Sequence, residues 1–214
     1  MKQYLCSDLH IGLENSDIPK IIEFFNLVQR DADELIIVGD CLDTWINTFE
    51  NITTQEPYKI AYDKLIETAS KVQTTIICGN HDYNIGQFIK DPNIIITNGF
   101  TRDNIRYEHG HIYDLPQVIA SPLFEWIILL FPYIYQRFFK GPSQIIDNSP
   151  EYHDRCVRYH NRIREVIADK DYSYFVCGHS HDGLIDDRLL DCGDFVLNAT
   201  YIVLENGTPK LMSL

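Results

Sequence analysis

Long apolar runs are missing from this chain. Its longest uncharged stretch, Trp126 to Gln136, has 11 residues, too short for a membrane-spanning helix, which needs roughly 20. Cysteine pairs with CxxC spacing are missing as well. The six cysteines, Cys6, Cys41, Cys78, Cys156, Cys177 and Cys192, stand apart. They read as reduced thiols filling small apolar spaces, not as a disulfide framework or as ligands. No apolar leader follows Met1-Lys2-Gln3-Tyr4, so a cytoplasmic location is expected. Positive charge is scarce: 18 Lys and Arg face 31 Asp and Glu, a formal net charge of −13. A surface of that sign repels phosphate backbones, which argues against general nucleic-acid binding. Repeats and low-complexity tracts are absent, and a hydrophobic fraction of 45% rules out a mainly disordered chain. The 214 residues suit one domain carrying an embedded insertion.

What is present is an alternation of short apolar runs with helical periodicity, the pattern of an α/β fold. Tyr4 to Cys6, Leu35 to Val38 and Thr75 to Cys78 read as buried strands. Asn93 to Thr97, Asn104 to Glu108, Tyr174 to Cys177, Phe195 to Asn198 and Tyr201 to Glu205 read as further strands, with Asn206-Gly207 as a turn. Ser16 and Asp17 form an N-cap region before a helix whose apolar face holds Ile18, Ile21, Ile22, Phe25 and Val28. Ile60, Ala61, Leu65, Ile66 and Ala69 give a second helix its stripe.

Histidine, aspartate and asparagine gather where five of these strands end. The junctions read Ser7-Asp8-Leu9-His10, Gly39-Asp40-Cys41-Leu42-Asp43, Gly79-Asn80-His81-Asp82, Glu108-His109-Gly110-His111 and Gly178-His179-Ser180-His181. Six of the eight histidines lie in them. Sites in open α/β sheets assemble at the carboxyl ends of strands. Mixed imidazole and carboxylate donors suit Mn, Fe or Zn better than Mg or Ca. Residues at i and i+2, as in Asp8/His10 and His179/His181, share a face when the backbone is extended. Asp40 is placed to bridge two cations roughly 3.5–4 Å apart. The glycines before Asp40, Asn80 and His179 permit turns that bring backbone close to a bound anion. His153 and His160, outside the motifs, read as plain surface or helix histidines.

In order and spacing, these motifs resemble the calcineurin-like metallophosphoesterases: D-x-H, G-D-x-x-D, G-N-H-D/E, a histidine motif and G-H-x-H, spanning positions 8 to 181. The resemblance implies a four-layer αββα sandwich with a helical cap insertion. It implies that Asp8, His10, Asp40 and His181 hold one divalent metal and that Asp40, Asn80, His109 and His179 hold another, Mn²⁺ foremost, with Fe or Zn as alternatives. It also gives His81 the contact to the phosphoryl group and leaving oxygen, and Asp43 the task of orienting His81. The implied activity is hydrolysis of a phosphate ester or pyrophosphate by a hydroxide held between the two metals. Glu108, His111 and Asp114 are expected to line the pocket or hold His109 from behind, against the alternative of simple loop polarity.

Within that family the chain is similar to the UDP-2,3-diacylglucosamine pyrophosphate hydrolases. Shared features are its compact length, Ser7 to His10, Asp40 to Trp45, the short H-G-x motif at His109 and an insertion before the last motif. The branch typically carries arginine where this chain has His81. The insertion, about 121–164, combines the apolar stretch Trp126 to Tyr135 with six basic and three acidic residues between 137 and 164. Arg155, Arg158 and Arg162, at i, i+3 and i+7, are candidate substrate-binding residues because guanidinium forks match phosphate oxygens. The expected partner is a phosphorylated small molecule or lipid, with the cap as a contact to the inner face of a membrane; no protein partner is inferable. Rival readings are an esterase of small soluble nucleotides and a non-catalytic scaffold of the same fold.

Overall fold

The computed structural model describes residues 1–114 and 149–214. The stretch Trp126 to Tyr135, and Arg137 and Lys140, assigned above to the cap, lie outside the described residues. The first sheet contains β1 (Lys2–Cys6), β2 (Glu34–Val38), β3 (Gln73–Ile77), β4 (Ile94–Thr97), β10 (Thr200–Glu205) and β11 (Thr208–Ser213), in the order β11-β10-β1-β2-β3-β4. The second contains β5 (Phe100–Arg102), β6 (Ile105–Tyr107), β7 (Tyr174–Cys177), β8 (Leu184–Asp186) and β9 (Leu189–Asp191), in the order β5-β6-β7-β9-β8. β1 to β4 run parallel, as do β6, β7 and β9. Helices α1 (Ile18–Asp31), α2 (Phe49–Thr54), α3 (Tyr58–Ala69) and α4 (Pro150–Ile167), with short 3-10 turns at Ile85–Gln87 and His111–Tyr113, complete the described elements.

The strand period of two sorts side chains into layers. In β1 and β2, Tyr4, Cys6, Leu35 and Ile37 join the core beneath the helices, together with Ile21, Phe25 and Leu65 of α1 and α3. Leu5, Ile36 and Val38 point the other way and meet Tyr107, Val176 and Leu190 of the second sheet. Phe175, Cys177 and Leu189 face outward from that sheet onto Tyr159, Ile163 and Ile167 of α4. The result is helices, sheet, sheet, helix: the four expected layers. Residues 150–164 of the expected insertion therefore belong to the outer layer.

Three local expectations change. Phe195 to Asn198 is a turn and not a strand, because Asp194 Oδ1 accepts the N–H groups of Val196, Leu197 and Asn198. Those donors are thereby lost to any ladder. Ile60 is exposed, and α3 buries Ala61, Leu65, Thr68 and Ala69 instead. The face of α1 includes Phe24, which packs against Phe195 and Tyr201. Asp17 caps α1 by accepting from Lys20 N–H at 3.1 Å.

Candidate metal centre

The five motifs leave the C-terminal ends of β1, β2, β3, β6 and β7. Past those ends the backbone still pairs: Asp8 N–H donates to Gly39 O, His10 N–H to Asp40 O, and Gly178 N–H to His109 O. The residues expected as ligands are not all extended. Asp8, His10, Asp40, His179 and His181 have φ of 53°, 45°, 50°, 69° and 62°. The i, i+2 pairs therefore converge through left-handed turns, not through strand alternation. The glycines also make room for the motifs' own side chains. Gly39 has φ of 92° and a Cβ there would lie 2.2 Å from His109 Nδ1. A Cβ on Gly178 would lie 2.6 Å from Asp8 Oδ2.

Two buried carboxylates organise the centre in the same manner. Asp8 Oδ2 accepts His179 N–H at 2.9 Å, and its Oδ1 faces His181 Nε2 at 3.2 Å and His10 Nε2 at 3.6 Å. Asp40 Oδ1 accepts His81 N–H at 2.8 Å, and its Oδ2 faces His109 Nε2 at 3.3 Å and His10 Nε2 at 3.8 Å. Asn80 Oδ1 stands 3.2 Å from His109 Nε2. Three sets of donors lie within 4.8 Å of one another: Asp8/His10/His181, His10/Asp40/His81 and Asp40/His109/His179. Asp40 is common to two of them.

The donor set fits divalent cations. Asp8 Oδ1 and His10 Nε2 are buried and have no hydrogen-bond partner among the described residues, a costly state unless something else binds them. The electrostatics say the same. Burial works against ionising Asp8 and Asp40, yet the surrounding imidazoles hold both carboxyls below their ordinary range. Burial also opposes protonation of His109, but Asp40, followed by Asp8, overcomes it and raises that pKa to about 9. His10 is likewise raised against burial, by its hydrogen bond to Asp43 and by the neighbouring Asp8 carboxylate. For His181 burial outweighs the attraction of Asp8, and its pKa falls to about 3. The raised values at His10 and His109 reflect the buried negative charge of Asp8, Asp40 and Asp43, a field that suits a cation.

Asp43 serves two rings. Its Oδ2 lies 2.9 Å from His81 Nδ1 and 3.1 Å from His10 Nδ1, and its Oδ1 accepts Ile46 N–H. His81 sits at the edge of the centre, 22% exposed, against the indole of Trp45 at 4.7 Å between centroids. His109 is steered from behind by Val38 O, 2.8 Å from Nδ1, not by its loop neighbours. Asp114 instead contacts His179 Nε2 at 3.2 Å and accepts from Arg155 at 2.8 Å. Burial would raise the Asp114 carboxyl, but His179 and Arg155 lower it to about 2. Glu108 pairs with Arg106. His111 lies beside His109 and His179, and burial depresses it to about 3.

Of the three candidate arginines, Arg155 reaches the centre through Asp114, Arg158 is exposed, and Arg162 is half-buried. His153 is exposed as expected. His160 is not a surface residue: it is buried, with Nε2 at 3.0 Å from Asp191 Oδ2. Asp82 and Asp191 are among the buried acids that went unassigned in the sequence. Asp82, last in Gly79-Asn80-His81-Asp82, accepts N–H groups of Gly79, Cys41 and Leu42 and ties the β2 and β3 loops together. Its place in the motif was the available signal. Asp191 lies in Leu189-Leu190-Asp191, where nothing local marks it.

Comparison with known proteins agrees with this geometry. The sequence model of the calcineurin-like phosphoesterase family matches residues 1–183. A UDP-2,3-diacylglucosamine hydrolase from Haemophilus ducreyi is 36% identical over 91 residues, covering 41% of this chain and 37% of that protein. Proteins of the same name from Aliivibrio fischeri and Azotobacter vinelandii are each 20% identical, covering 82% and 89% of this chain and 79% and 86% of their own. A dimetal phosphatase from Danio rerio has the same fold, with a TM-score of 0.50 at 12% identity, 95% of this chain and 91% of that one being covered.

Proposed function

The chain belongs to the calcineurin-like phosphoesterases, and from that premise we propose that it hydrolyses a phosphate ester or pyrophosphate bond with two divalent cations bound side by side. The observation that carries this reading is Asp40, whose Oδ2 faces His10 on one side and His109 on the other. Asp8, His10, Asp40 and His181 would hold one cation; Asp40, Asn80, His109 and His179 would hold the other. Mn²⁺ suits the mixed donors best. Bound cations supply an activated water and neutralise charge on the phosphoryl oxygens.

The protein's own groups do the rest. Asp43 accepts from His81 Nδ1 and orients the ring. Nε2 is then the atom that donates to the leaving oxygen. Trp45 and Asp43 together fix the plane of that ring. Asn80 is a neutral donor, so the centre stays attractive to an anion despite a net charge of −13. Arg155 adds a guanidinium at the margin, anchored by Asp114.

The relatives named UDP-2,3-diacylglucosamine hydrolase direct the substrate reading to a lipid-linked or nucleotide-sugar pyrophosphate. The apolar stretch at 126–135 would meet the lipid or a membrane surface in a cytoplasmic, peripheral enzyme of one domain. A hydrolysis panel with Mn²⁺ tests it: a monoester, a diester, a nucleotide pyrophosphate and a detergent-dispersed lipid-linked pyrophosphate. Fastest turnover is expected on the lipid-linked pyrophosphate. Preference for a small soluble nucleotide would replace that substrate, and no turnover on any of the four would favour a scaffold.

A further inference from the structure

The last motif, Gly178-His179-Ser180-His181, carries two proposed ligands in left-handed backbone, with one residue between them. Non-glycine residues rarely adopt that conformation, and it persists only where the surroundings impose it. The surroundings act through Ser180. Its Oγ donates to Asp191 Oδ2 at 2.7 Å and accepts Asp182 N–H at 3.0 Å. Its carbonyl accepts from Tyr152 of α4.

Asp191 is placed by sheet register. β7 and β9 run parallel with Cys177 opposite Asp191, so the acid ends its strand just behind the motif. Its Oδ1 accepts Gly193 N–H at 3.0 Å, and its Oδ2 accepts from His160 Nε2 at 3.0 Å besides Ser180. Asp191, His160 and Ser180 are all buried. A buried carboxylate and imidazole are costly unless well paired, and neither belongs to a donor set at the centre.

We propose that Asp191, steadied by His160, is a positioning residue that sets Ser180 and thereby aims His179 and His181 at the two cations. The proposal rests on the reading of those histidines as ligands. Loss of groups that orient ligands from behind typically weakens metal binding about 10–100-fold.

The test is Mn²⁺ titration by calorimetry on the metal-free, full-length protein and its variants. Ser180→Ala and His160→Leu are expected to bind about 10–100-fold more weakly. Ser180→Thr restores the hydroxyl and His160→Gln restores a donor near the Nε2 position, so both are expected to bind like the parent. Ile163→Val, which loosens α4 packing outside the network, is expected to lower the melting temperature while leaving Mn²⁺ affinity alone; a purely structural role for His160 would not separate these effects. Should His160→Leu fail to fold, Ser180→Ala decides. Parental affinity in folded Ser180→Ala, with the parent binding two Mn²⁺, overturns the proposal and spares the metal reading. A parent that binds no Mn²⁺ overturns both.

Discussion

His81 is gripped on one ring nitrogen by Asp43 and across one face by Trp45, which leaves Nε2 as the atom to meet a leaving group. His81→Ala should therefore lose at least ~10²-fold in kcat, the usual size of acid catalysis, while Mn²⁺ content measured by atomic absorption stays at the parental level. A variant that turns over at the parental rate removes His81 from the reaction. His109 makes a second residue-level expectation. Its metal-free pKa of about 9 leaves it protonated at neutral pH, and a ligating imidazole must be neutral. Mn²⁺ binding should release protons at pH 7.5, release fewer as pH passes 9, and tighten over the same range. Calorimetry in two buffers of different ionisation enthalpy reads this directly; an equal heat in both would exclude His109 as a donor.

Helix α4 joins the outer layer of the sandwich to the centre. Its apolar face, Tyr159, Ile163 and Ile167, packs on the second sheet, while Tyr159 also donates to Gly178 O at 3.0 Å. Ile163 is fully buried, so Ile163→Ala should cost about 2–5 kcal/mol in a urea melt. The link from Arg155 through Asp114 to His179 gives a pH signature. Asp114 has a folded pKa of about 2 against an ordinary 3.8. Its stabilising effect is complete above pH 4, and it fades as pH falls towards 2 because the unfolded chain takes up the proton first. Asp114→Asn should flatten the acid limb of stability across that window, followed by circular dichroism melts at stepped pH. An unchanged limb would show that the pairing contributes nothing.

For the whole molecule, a net charge of −13 opposes binding to polyanions. Fluorescence anisotropy with duplex DNA at low salt should stay flat up to ~10⁻⁴ M protein, the weak end of ordinary non-specific binding. Salt-sensitive binding at micromolar concentration would contradict this. Among the described residues no helix is long and apolar enough to cross a bilayer.

The α/β alternation and the cluster of donor residues were legible in the chain because both depend on short-range pattern, while the four layers followed from the family resemblance. The apolar run Leu35 to Val38 already reads as a strand buried on both faces, and five motifs at strand ends already collect Asp8, His10, Asp40, Asn80, His109, His179 and His181. Which groups hold those side chains in place was not legible. Asp82, Asp191 and His160 act across separations of 31 to 41 residues, and the register of β7 with β9 brings Asp191 behind His179. The left-handed turns at His10 and His181 were hidden for the same reason: local preference opposes them, and partners from distant segments impose them. Local periodicity thus encodes what each strand buries, whereas hydrogen bonds between remote segments settle where a buried acid points, since its energy depends on neighbours that folding alone assembles.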